Sequence, residues 1–381
     1  MSVTTFDFPT SIRFGVGARF EVAAHLAEHG VSRPLVVTDR GVAELEFHRE
    51  LLDSLSGAAL SPASFSEVWG NPVSSQVKAG VAAYRAHDAD GIVGLGGGAA
   101  LDVAKAVALM ATHPGELFDY EDEMPGARPI EDRIPWFVAI PTTAGTGSEV
   151  GRSAVIADDD THVKKIIYSP HLLARVVFAD PELTVGLPPH ITAATGLDAL
   201  THNVEAYLAK GFNPLCDGIA VEGARLCAAN LAAATADGSD IEARSAMLVA
   251  SMMGAVAFQK GLGLVHSCAH ALGTAADLHH GLANGLMIDH ALRFNLEASA
   301  DRLAHLGLVI GLPEQSPEAF LDWLADLKAE VGVAATLGEY GLDAGLAAEL
   351  SRLASADACH ANNPRPVTEA DFGDIFARAF G

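Results

Sequence analysis

Cysteine, aromatic and basic residues are scarce in this sequence. Its 381 residues include four cysteines, 6% aromatics and 24 lysines and arginines against 48 acidic side chains. Cys216, Cys227, Cys268 and Cys359 are scattered with no CxxC pair, which excludes a disulfide framework and a structural zinc site and fits a reducing compartment. A formal charge of −24 repels phosphodiester backbones and anionic lipid surfaces, so neither nucleic acid nor membrane is an expected partner. No stretch offers about 18 uncharged apolar residues for a membrane span, and the N-terminus lacks a basic region followed by a long apolar run. Cytoplasmic residence is the expectation. Half of the residues are hydrophobic, and the length exceeds what one hydrophobic core usually serves, so two domains are expected.

The character of the chain changes once. Up to about residue 185, β-branched runs such as PLVVTD (34–39), GIVGLGGG (91–98), WFVAIPTT (136–143) and ARVVFADP (174–181) alternate with Ala/Leu-rich stretches of helical length. That alternation predicts βαβ units around a buried parallel sheet. Beyond TVGLPPHITAATG (184–196) strand signals vanish, and helices are expected over 197–209, 215–235, 240–259, 263–275 and 281–297, with shorter ones to the end. The reading is a Rossmann-like α/β dinucleotide-binding domain over 1–185 and an all-α domain over 186–381, with LPPH as the hinge.

Three features of the first half point to a dinucleotide. The strand GIVGL runs into Gly96, Gly97 and Gly98, and ALDVAKAVALMA leaves as a helix, presenting unpaired N–H groups and a positive dipole end to a phosphate. Gly94-x-Gly96-x-x-Ala99 satisfies the relaxed dinucleotide fingerprint, which plain turns also satisfy. PTTAGTGSEV (141–150) follows a second strand and offers hydroxyls and amides to a diphosphate. Asp39 ends a third strand, where its carboxylate can accept ribose hydroxyls and repel a 2′-phosphate, favouring NAD. It precedes the glycines by more than fifty residues, reversing the usual order, and can equally be a helix N-cap.

The second half carries the metal chemistry. GLDALTH places Asp198 and His202 four apart on one helix face, and HSCAHALGTAADLHHG supplies His266, His270, His279 and His280. His266 and His270 share a face, the other two lie past a break, and any two of the four can complete the set. One carboxylate with two or three imidazoles suits Zn, Fe(II), Mn or Ni and not Ca or Cu(I).

GGGAALDVAK (96–105), PTTAGTGSE (141–149), GLDALTH (196–202) and HSCAHALG…HHGLANG (266–285), in this order, resemble the iron-containing (group III) alcohol dehydrogenases across essentially the whole chain. The resemblance implies a divalent metal, Fe2+ first with Zn2+ or Mn2+ as alternatives, in a cleft between the domains, and reversible oxidation of a primary alcohol with NAD(P), for which Asp39 favours NAD. It implies Asp198, His202, His266 and His280 as ligands, with His270 left to assist proton transfer. Cofactor contacts are implied at Asp39, Asn71, Gly97, Gly98, Ala99, Thr142, Thr143, Lys164 and Leu183. Ala99 stands where relatives usually have serine, so a phosphate loses one hydroxyl contact and keeps the amides. Cys359 matches a position near the substrate pocket of some relatives, although a buried, inert thiol is the plainer reading.

FNPLCDGIA (212–220), AFQKGLGLVHS (257–267) and NNPR (362–365) are most similar to the branch containing 4-hydroxybutyrate dehydrogenases. An ω-hydroxy acid needs a cation for its carboxylate, with Lys260 and Arg365 as candidates. A homodimer or larger homo-oligomer is implied, with a small alcohol or aldehyde as the partner. Two other readings are a metal- and NAD-dependent cyclising lyase resembling dehydroquinate synthase and a non-catalytic metal-binding protein. The first fits PTTAGTGSE and the histidine spacing less well. The second leaves both glycine loops without a ligand.

Overall fold

The computed structural model describes residue 8 and residues 10–122 and 124–381. They form two compact units, 10–143 with 148–184 and Val185–Gly381 with Ala144–Gly147.

The first unit holds eight strands: β1 (Ser11–Phe14), β2 (Pro34–Val37), β3 (Ala63–Phe65), β4 (Gly91–Gly96), β5 (Trp136–Pro141), β6 (Ser153–Ala157), β7 (Lys164–Tyr168) and β8 (Val176–Ala179). Six make a parallel sheet in the order β1-β8-β5-β4-β2-β3, and β6 pairs with β7 as an antiparallel hairpin. The central strands are buried throughout, as their unbroken apolar runs require when both faces are covered. From β2 the chain steps outward to the edge strand β3, then returns to β4 on the other side of β2 and runs on to β5. Connections therefore leave the carboxyl ends of β2 and β4 in opposite directions, where open α/β sheets bind ligands.

The second unit is built on the helices Pro189–Leu208, Pro214–Ala236, Ile241–Ala257, Leu264–Ala276 and His280–Asn295, with shorter helices as far as Phe380. The first begins eight residues before the expected 197. The Pro-Pro pair acts as a helix start, with Pro189 in the first turn, where a proline gives up no hydrogen bond. Every residue of this helix from Thr192 to Ala206 is buried. It is the central helix of its unit, so each polar side chain on it needs a partner.

The segment Ile241–Lys260 is long and apolar enough by composition to cross a membrane, with a mean hydropathy of 1.3. In the fold 61% of its most apolar 18-residue window is buried, packed on the Pro189–Leu208 and Pro214–Ala236 helices, and a core helix needs that composition.

Candidate metal and cofactor sites

Asp198 and His202 sit one turn apart on the central helix and are both almost fully buried. His266 comes from the first turn of the Leu264–Ala276 helix. That helix ends at Asp277, in a left-handed conformation (φ 50°), and the next begins at His280. This break decides between the adjacent histidines. His280 turns into the cluster, while the ring of His279 accepts the Leu282 N–H and caps the new helix.

Asp198 Oδ1 lies 3.5 Å from His280 Nε2, 3.9 Å from His202 Nε2 and 4.0 Å from His266 Nε2. One ligand atom from each of the four residues lies within 4.8 Å of all the others. Ligand atoms about 2.1 Å from a common ion at tetrahedral angles stand about 3.4 Å apart, so the cluster fits a divalent cation after small adjustments. Burial pushes the His202 pKa down to about 4 against the pull of Asp198, leaving a neutral imidazole with a lone pair to give. Asn284, fully buried, donates from Nδ2 to Asp198 Oδ1 at 2.7 Å and stands 3.3 and 3.2 Å from Nε2 of His266 and His280.

His270 stands beside this group. Its ring stacks on that of His280 with centroids 5.3 Å apart, and its Nδ1 is 2.7 Å from Asp357 Oδ2. Asp357 also accepts the Ser267 hydroxyl and the Cys359 N–H. Burial raises the Asp357 pKa, but the His270 hydrogen bond and charge outweigh it and hold the carboxyl well below the usual range. Burial and the Asp357 charge push the Cys359 thiol far up, in keeping with an inert cysteine. Asn284, Glu205 and Asp357 were not singled out from sequence. Glu205 extends the Asp198–His202 stripe to i+7 and Asn284 is four residues past His280, so spacing could have found both. Asp357 is 87 residues from its histidine and no spacing rule reaches it.

In the sheet unit, strand order resolves the reversed position of Asp39. Val37 of β2 pairs with Gly94 of β4, so Asp39 ends beside the glycines. Its Oδ2 stands 3.2 Å from where a Gly96 Cβ would be. Its Oδ1 accepts the Val42 N–H at 2.9 Å, so Asp39 is also an N-cap. Gly96 has φ 147°, and a Cβ there would meet Ala100 at 2.7 Å, so glycine is required. Gly97 and Gly98 open the helix Gly98–Thr112 with no side-chain cap, and Ala99 lies in its first turn, half-buried. Thr142 donates its N–H to Gly96 O at 3.1 Å, and the Thr143 side chain stands 3.2 Å from where a Gly97 Cβ would be. Ala157 links two further residues: its N–H donates to the carbonyl of Pro72, next to Asn71, and it pairs with Lys164 across the hairpin. Leu183 is buried in the hydrophobic core of this unit.

The two glycines of PTTAGTGSE also allow close packing. A Cβ on Gly145 would stand 2.8 Å from Thr195 Cβ, and one on Gly147 would stand 2.3 Å from Ala255 Cβ. Both let the backbone press onto the helices of the second unit. Lys260 and Arg365 are committed elsewhere. Lys260 is buried, donating to Asp217 and to Tyr207 O at 2.9 Å, and Arg365 donates to Phe294 O while stacking on the Phe294 ring.

A parallel sheet with a glycine-lined switch point and a buried cluster of three histidines and one aspartate define a metal- and NAD-dependent oxidoreductase. Residues 9–181 match the family model described as iron-containing alcohol dehydrogenase, and residues 192–380 match the C-terminal model of the Fe-containing alcohol dehydrogenase family. The chain belongs to this family, whose members act on alcohols and aldehydes. It is 40% identical over 372 residues to the 4-hydroxybutyrate dehydrogenase of Cupriavidus necator, covering 95% of this chain and 96% of that protein. It is 34% identical over 383 residues to the choline dehydrogenase of Bacillus subtilis, covering 99% and 95%. The crystal structure of a 1,3-propanediol oxidoreductase superposes with a TM-score of 0.93 at 35% identity, covering 99% of this chain and 100% of that one.

Proposed function

We propose that this chain reversibly oxidises a primary alcohol with NAD, that its substrate is an ω-hydroxy acid such as 4-hydroxybutyrate, and that Asp198, His202, His266 and His280 hold an Fe2+ ion. The observation that carries the reading is the convergence of three Nε2 atoms on Asp198 Oδ1 within 4.0 Å. Bound there, a divalent ion supplies the positive charge that lowers the pKa of an alcohol oxygen, and NAD supplies the hydride acceptor.

The residues do the rest. Asp39 takes the adenosine ribose hydroxyls and disfavours a 2′-phosphate. The first-turn amides of the Gly98–Thr112 helix, with Gly97, Ala99, Thr142 and Thr143, hold the diphosphate, and Asn71, Lys164 and Leu183 complete the cofactor contacts. His270, oriented through Nδ1 by Asp357, receives the alcohol proton at Nε2 and passes it outward. The substrate class is supported by the relation to 4-hydroxybutyrate dehydrogenase. Since Lys260 and Arg365 are occupied, the substrate carboxylate is not bound by either one in its present arrangement. We also assign the protein to the cytoplasm, as a homodimer or larger homo-oligomer. Ile12, Phe14, Val16 and Phe20, exposed on and just after the edge strand β1, support self-association.

The test is a panel of simple alcohols, aldehydes and ω-hydroxy acids assayed by NADH absorbance after anaerobic loading with Fe(II), Zn(II) or Mn(II). The expected result is metal-dependent turnover, highest with 4-hydroxybutyrate. Turnover confined to alcohols without a carboxylate would overturn the substrate, and no reduced cofactor with any member would overturn the dehydrogenase reading.

A further inference from the structure

His266 has a carboxylate directly behind it. Glu205 lies on the central helix, on the same face as Asp198 and His202, and is 3% exposed. Its Oε2 is 2.6 Å from His266 Nδ1 and accepts the His266 backbone N–H at 3.3 Å, while Oε1 accepts the Val265 N–H at 2.7 Å. Among the described residues its ion-pair partner is His266 alone.

Such a carboxylate is tolerable in the core because it faces the N-terminus of the 13-residue Leu264–Ala276 helix, whose unpaired N–H groups and dipole favour negative charge. Its approach depends on Gly263, where a Cβ would stand 2.7 Å from Oε1. An acceptor at Nδ1 puts the ring proton there and leaves Nε2, 4.0 Å from Asp198 Oδ1, with its lone pair toward the cluster.

We propose that Glu205 is a positioning residue that fixes the tautomer and aim of His266 and thereby sets the affinity of the four-residue cluster for its divalent ion. The proposal rests on the ligand reading above, and a double-mutant cycle separates the two. Zn2+ affinity is measured on the stripped, full-length protein by competition with a chromophoric chelator, together with the melting temperature of each metal-free protein.

Glu205→Gln, which keeps the shape and an acceptor but loses the charge, is expected to weaken Zn2+ binding about 10- to 100-fold with a metal-free melting temperature close to that of the unmodified protein. Glu205→Asp, whose carboxylate falls one methylene short of Nδ1, is expected to weaken it too. In a His266→Ala background the Glu205→Gln effect is expected to vanish, because the residue through which it acts is gone. Unchanged affinity in both Glu205 variants, or a Glu205→Gln effect that persists in full without His266, would overturn the proposal. If the unmodified protein takes up no equivalent of Zn2+, the ligand reading itself fails.

Discussion

At the carboxyl ends of β2, β4 and β5 the groups on display are largely backbone: glycine amides, the open first turn of a helix, and one carboxylate that doubles as a cap. In the helical unit the candidate groups are side chains carried on three helices, several of them held by a second side chain. Glu205 stands behind His266, Asp357 behind His270 and Asn284 between Asp198 and two imidazoles. A backbone site is specified by the turn it needs and tolerates exchange of the side chains around it. A side-chain site buried in a core is specified atom by atom, because each unsatisfied polar group there costs about 1–3 kcal/mol. Substitutions should therefore have larger and more specific effects in the helical unit.

The sharpest break is expected from the cluster itself. Asp198→Ala should abolish metal retention and lower kcat/KM by at least about 10³-fold, the scale on which a charge-stabilising group acts. Metal analysis beside circular dichroism would separate this loss from unfolding. Asp357→Asn comes next. It keeps the shape and removes the charge orienting His270, so turnover should fall about 10²-fold, within the range of general acid–base catalysis, while metal content and the KM for NAD stay unchanged. A simultaneous loss of metal would place Asp357 and His270 in the metal-holding group.

Asp39→Ala tests the other region. It should raise the KM for NAD and relax discrimination against NADP by about tenfold or more, and loss of the N-cap should cost about 1 kcal/mol of stability, read from steady-state kinetics and urea unfolding. Gly145→Ala is expected to destabilise by about 1–3 kcal/mol, the usual range for an overpacked core, through the clash with Thr195. Urea unfolding would read the loss, and because the Gly145 backbone also hydrogen-bonds His202, metal analysis of the folded fraction is expected to show weaker retention.

A further prediction concerns pH. Glu149 is almost fully buried near Lys105, and burial pushes its carboxyl up to about 7. Because the folded value exceeds the unfolded 4.5, the folded state binds more protons between the two. Stability is then full below about 4.5, falls as pH rises toward 7 and levels off above it, by a few kcal/mol at most. Glu149→Gln should flatten that stretch of a plot of melting temperature against pH.

The same contrast governs how much was legible in the sequence. The buried strands β2, β4, β5 and β8 announce themselves as apolar runs, whereas β1 and β3 are edge strands of four and three residues with little burial to enforce a pattern. Helix breaks at Pro, Gly and Asn were readable to within a few residues, except that the helix after Pro188 begins at Pro189, eight residues before the expected start. Asp198 and His202 were visible from i, i+4 spacing. The choice of His280 over His279 was not, since it depends on where the chain turns at Asp277. Asp39 could be suspected but not placed, because only the strand order brings β2 beside β4. The glycines at 145 and 147 carry a demand that no sequence pattern announces, since each also allows close packing onto helices.

The central claim is that one divalent ion is held by Asp198, His202, His266 and His280. Its most direct test is anomalous diffraction at the metal edge from crystals of the Zn2+- or Fe2+-loaded protein. The account predicts one strong peak about 2.0–2.2 Å from the Nε2 atoms of the three histidines and from an oxygen of Asp198. A peak coordinated by His270 or His279 in place of one of these, or centred away from the buried cluster, would contradict it.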